Sequence, residues 1–76
     1  MRSAVIRDAG ILGDLLVELR TEAGLSQREL AERLGVSQRY VVELEQGKQT
    51  KSIERLLAFV KTTGGALYLE LGGDDA

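Results

Sequence analysis

The chain has 76 residues, no cysteine, no histidine and a net charge of −2. One domain of this size seldom gains more than about 3–5 kcal/mol from its core, so it must lean on tight packing or on a partner subunit. Disulfides and a Cys- or His-ligated zinc site are both excluded by composition. The apolar fraction of 43% is that of a globular domain. No stretch has the length of a membrane span, and "MRSAVIRDAG" lacks a signal-peptide core, so a soluble cytoplasmic protein with no membrane partner is expected.

The elements follow in chain order. Val5-Ile6 reads as an extended segment. A first helix is expected from near Asp8, its cap. Its stripe is Leu12, Leu15, Leu16 and Leu19, at the i, i+3, i+4, i+7 spacing of one buried face. Gly10 and Gly13 weaken its first turn, and Gly24 ends it. A second helix opens on the capping box Ser26-Gln27-Arg28-Glu29, buries Leu30, Ala31 and Leu34, and stops at Gly35. A third is capped by Ser37, with Val41 and Leu44 inward in register with Val36, and ends at Gly47. A fourth is capped by Thr50 or Ser52 and carries Ile53, Leu56, Leu57 and Val60, with Phe59 beside that stripe. After Gly64-Gly65, Leu67, Leu69 and Leu71 alternate as in a half-buried strand.

Charge is unevenly spread. From Ser26 to Lys51 the basic residues Arg28, Arg33, Arg39, Lys48 and Lys51 outnumber Glu29, Glu32, Glu43 and Glu45, while Glu70, Asp74 and Asp75 hold much of the negative excess. The local field governs docking on phosphates more than net charge does. The second and third helices, joined by a Gly-containing turn, make a helix-turn-helix candidate: Ala31 permits close approach, and Val36, Val41 and Leu44 lock the pair. The third helix then offers a polar N-terminal end, the end that reaches base edges in a major groove.

The segment "LSQRELAERLGVSQRYVVELEQGK" resembles the helix-turn-helix core of lambda-repressor-like, Xre-family DNA-binding domains. The matching frame is Gln27, Leu30, Ala31, Gly35, Val36, Ser37, Val41, Leu44, Glu45 and Gly47, about a third of the chain, and the flanking helices fit the family layout. Across nearly the whole chain the layout, with "GKQT" and a terminal apolar strand, is similar to HipB-type antitoxins of type II toxin–antitoxin operons. The resemblance implies a mainly α fold: a four-helix domain over 1–76, a dimerisation strand over 66–71 pairing with its copy across a homodimer, and a short tail over 72–76. It further implies an antitoxin that represses its own operon by binding double-stranded operator DNA and that binds a HipA-like serine/threonine kinase toxin. The alternatives are a stand-alone Xre-family regulator and a protein-interaction module on the same fold. No cofactor is expected.

Site residues carried over from the resemblance are specific. Gln27 and Ser37 match backbone-contacting positions, and Gln38 and Arg39 match base-reading ones. Lys48 and Lys51 would meet phosphates, or else lie in a solvated loop. Tyr40 would pack on the sugar-phosphate edge. Val42 touches a thymine methyl or is simply exposed, and Glu43 accepts from cytosine N4 or repels phosphates. Arg20 and Glu45 match a partly buried ion pair. Phe59, Leu67, Tyr68, Leu69 and Leu71 are the expected dimer interface, with Val5-Ile6 a rival partner for the strand and packing within the monomer the plainer reading of the leucines. Catalysis is not expected, because the residues that usually perform acid–base and nucleophilic chemistry are missing or are used as helix caps.

Overall fold

The computed structural model describes residues 2–48 and 50–72. The order is β1 (Arg2–Ile6), α1 (Ala9–Glu22), α2 (Gln27–Leu34), α3 (Gln38–Glu45), α4 (Lys51–Thr62) and β2 (Leu67–Leu71). Asp74 and Asp75 of the acidic tail lie outside the described residues.

Each helix starts where its cap dictates, because the first amide groups have no partner inside the helix. The Asp8 carboxylate accepts from Ile11 N at 2.8 Å. In the capping box, Glu29 N donates to Ser26 Oγ at 3.0 Å and Ser26 N to Glu29 Oε1 at 2.8 Å. The backbone amide of Ser26 is the main reason the Glu29 carboxyl sits below its usual pKa. Tyr40 N donates to Ser37 Oγ at 3.0 Å. Thr50 rather than Ser52 caps α4, accepting from Ile53 N at 3.3 Å. Gly35 takes φ +72 at the end of α2, the left-handed conformation that makes the turn between α2 and α3 sharp.

The core lies where α1 and α2 pack on α3. Ala31 and Val41 are each only 3% exposed at the α2–α3 crossing. Beside them, Leu16, Leu19, Leu25, Leu30 and Leu44 line an apolar cleft of about 270 Å³. The α1–α3 crossing is also close, and here the expectation from sequence needs correction. Gly13 is no mere weak point in the first turn of α1. It is buried, and a Cβ there would stand 2.6 Å from the Glu45 carbonyl oxygen and 2.8 Å from that of Leu44. The missing side chain lets the backbone of α3 rest directly on α1.

Three apolar positions expected inside are exposed: Leu34 (58%), Val36 (37%) and Leu56 (55%). Leu34 rims the cleft. Leu56 is exposed because α4 stands apart from the three-helix core and contains no buried residue. Periodicity marks a face as apolar, but another element must cover that face for it to be buried.

The strands form a two-stranded antiparallel sheet, with Arg2 opposite Leu71, Ala4 opposite Leu69, Val5 opposite Tyr68 and Ile6 opposite Leu67. One edge of β2 is therefore satisfied by β1 of the same chain, the partner that Val5-Ile6 hinted at. Pairing with a second copy is left only the other edge. Leu67, Leu69 and Leu71 share the inner face, and Leu71 is 4% exposed, so it is enclosed by its own chain rather than offered to another. Tyr68 and Glu70 face outward. Arg2 ties the sheet to α1 through Glu18 and, at 2.9 Å, Glu22. Among the described residues no helix is long and apolar enough to cross a membrane.

Candidate nucleic-acid interface

The third helix is seated at its C-terminal end by a shared carboxylate. Arg20 of α1 reaches Glu45 of α3 with two parallel bonds, Nε to Oε2 at 2.6 Å and Nη2 to Oε1 at 3.1 Å. Its Nη1 donates to the Leu25 carbonyl at 2.9 Å, and Gln27 Nε2 donates to Glu45 Oε1, also at 2.9 Å. The Glu45 side chain is 5% exposed, so the charge is tolerable only because these donors saturate it. The Arg20 hydrogen bond holds the Glu45 carboxyl below its usual range against the opposing effect of burial, with Gln27 contributing further; the same bond raises Arg20. Three segments, α1, the start of α2 and the end of α3, thus meet at one side chain.

Gln27, expected at the DNA backbone, has a partner inside the fold. Its amide nitrogen points into the fold and holds Glu45, and the residue is half-buried. Through this bond the side chain joins α2 to α3.

The opposite, N-terminal end of α3 is open. Gln38, Arg39 and Tyr40 are all exposed on its first turn. Ser37 Oγ is engaged as the cap acceptor, which leaves its hydroxyl proton available to a phosphate oxygen. Val42 and Glu43 are half-buried on the following turn. Tyr40, Glu43, Lys48 and Thr50 come together around a shallow depression of about 170 Å³. Lys48 is placed there by the turn after α3, where its amide donates to the Glu43 carbonyl at 2.9 Å. Lys51 is exposed at the first position of α4. Thr50 is a member of this patch that the sequence reading missed, since capping was its only legible role. Arg39 Nε meets Glu43 Oε2 at 3.1 Å along the helix surface.

This arrangement, a clamped helix presenting a polar first turn beside a second helix of equal length across a sharp turn, defines a helix-turn-helix protein. The chain belongs to the helix-turn-helix family, whose model matches residues 16–68. It is 35% identical, over 91% of each chain, to the uncharacterized HTH-type transcriptional regulator y4mF of Sinorhizobium fredii. It is also 46% identical, over 51% of this chain and 56% of the other, to an uncharacterized HTH-type transcriptional regulator of Methanothermobacter thermautotrophicus. No solved structure matches the chain significantly.

Proposed function

We propose that the protein is a sequence-specific DNA-binding repressor that acts as a homodimer. One observation carries this reading: α3 is fixed at its C-terminal end by Arg20 and Gln27 while its first turn leaves Gln38, Arg39 and Tyr40 open to solvent. That turn enters the major groove, where Arg39 meets guanine and Gln38 meets adenine. Ser37, Lys48 and Lys51 contact phosphates, and Tyr40 packs on the sugar-phosphate edge. Gln27 contributes chiefly by holding α2 to α3. Val42 and Glu43 flank the base-reading residues.

The dimer reading is supported by apolar surface that the chain leaves uncovered. Leu56, Phe59 and Tyr68 are 55%, 69% and 62% exposed, α4 has half-buried but no fully buried residues, and the outer edge of β2 is unpaired among the described residues. A second copy covering α4 and adding to β2 removes both liabilities. The two recognition helices then address half-sites about 34–36 Å apart.

The layout resemblance carries the reading one step further, to a HipB-type antitoxin that represses its own operon and binds a HipA-like kinase toxin. The stand-alone regulator is the second reading, favoured by the names of both relatives, which are transcriptional regulators. A kinase-like reading frame beside the gene, and co-purification of its product, supports the antitoxin; a solitary gene whose product purifies alone supports the regulator. The DNA reading is tested by fluorescence anisotropy on a duplex selected from a randomised library. Binding at least about a thousandfold tighter than to a scrambled duplex, falling steeply with salt, is expected of a specific binder. Equal affinity for both duplexes refutes it.

A further inference from the structure

Glu43 stands where a DNA-reading helix least favours it. A carboxylate on the outer side of α3 repels phosphates, and in the C-terminal half of the helix it also opposes the helix dipole. Its pairing with Arg39 adds little to helix stability, since exposed pairs four residues apart are weak and the order Arg before Glu is the poorer one. Fold stability therefore does not account for this residue.

The geometry of the pair does. Glu43 Oε2 takes the Nε of Arg39 at 3.1 Å, with Arg39 86% exposed and Glu43 40%. A guanidinium offers donors along two edges. The carboxylate occupies the Nε, and among the described residues the Nη groups have no partner. The end bearing both Nη groups is the one that matches guanine O6 and N7 in a bidentate contact. An arginine tethered this way has fewer rotamers to lose on binding. Where no guanine is offered, an untethered arginine would swing to a phosphate instead, and Glu43 competes against that move.

We propose that Glu43 is a positioning residue that presents Arg39 to guanine and weakens binding to duplexes without guanine at that position. The proposal rests on the DNA-binding reading above. It makes Glu43 a determinant of specificity that touches no base itself, acting by penalising the wrong partner as much as by favouring the right one.

The test measures wild type, Glu43→Ala, Glu43→Gln, Arg39→Ala and the double variant Arg39→Ala/Glu43→Ala by anisotropy at one salt concentration. The probes are the tightest duplex that wild type selects from a randomised library, its single-base variants, and a scrambled duplex. Glu43→Ala is expected to lose guanine preference at the base pair where Arg39→Ala loses it, with the selected-to-scrambled ratio falling on the order of tenfold, the discrimination of one bidentate contact. Glu43→Gln keeps an oxygen for Arg39 Nε but not the charge. It should retain the guanine preference while binding the scrambled duplex several times more tightly. In the Arg39→Ala background, Glu43→Ala should change the ratio no further. The proposal is overturned if Glu43→Ala leaves the ratio unchanged, alters preference at a different base pair, or acts equally with Arg39 absent. Those results leave the DNA reading intact, whereas a wild type that selects no duplex overturns both.

Discussion

Gly13→Ala sets helix propensity against packing, and the two disagree in sign. In an exposed helix the change gains about 1 kcal/mol. In α1 the new Cβ would stand 2.6 Å from the Glu45 carbonyl oxygen and 2.8 Å from that of Leu44. Both are backbone atoms, so no rotamer change relieves the contact, and α3 must move away from α1. Overpacking of this kind costs about 1–3 kcal/mol, and a rigid obstacle belongs at the upper end. The net expectation is a loss of roughly 1–2 kcal/mol, from a domain whose total is only about 3–5 kcal/mol. At roughly 4–8 °C per kcal/mol for a domain this small, Tm should fall by about 5–15 °C. Gly10→Ala is the control. Its Cβ meets only the Asp8 carboxylate, at 3.3 Å, a side chain able to give way. That variant should be neutral or slightly more stable. The assay is circular dichroism during thermal unfolding, at one fixed protein concentration because association would shift Tm. A Gly13→Ala protein as stable as wild type would refute the close α1–α3 approach.

Three further outcomes are expected. Glu45 is held below its ordinary pKa of 4.5, so its contribution is complete above that value and is lost as pH falls through the depressed one. Glu45→Gln should be less stable at neutral pH and decline less steeply below about pH 4.5 in an acid titration followed by circular dichroism. Lys48→Ala should weaken binding to all duplexes alike and flatten the dependence of log affinity on log salt by about one unit, read from anisotropy titrations. Phe59→Glu should convert a dimer at micromolar concentration to a monomer in light scattering, with helix content unchanged; a wild type that is already monomeric removes the dimer reading.

The features legible in the sequence are those set by neighbouring residues. The caps at Asp8, Ser26, Ser37 and Thr50 involve groups three residues apart, and all form. The Arg20–Glu45 pair was also legible, though through resemblance, because nothing local links positions so far apart. What escaped depends on the third dimension. Gly13 looks like any helix glycine until α3 lies on it. Leu34 and Leu56 carry the periodicity of core residues, yet the described elements leave both more than half exposed. The alternation of Leu67, Leu69 and Leu71 identified the strand and its inner face but not its partner, since side-chain alternation does not say which strand pairs with the backbone edge. At the site, the exposed first turn of α3 was readable. The inward turn of Gln27, the tether between Glu43 and Arg39, and the presence of Thr50 in the patch were not.

The central claim is that α3 reads guanine from the major groove through Arg39. Methylation interference on the selected duplex tests it most directly, because methylation at guanine N7 blocks the atom that a bidentate arginine uses. Interference is expected at guanines in two half-sites about 10 base pairs apart, and it should disappear from those guanines in Arg39→Ala. Binding that is indifferent to guanine N7 methylation, or blocked only by modification in the minor groove, would contradict the account.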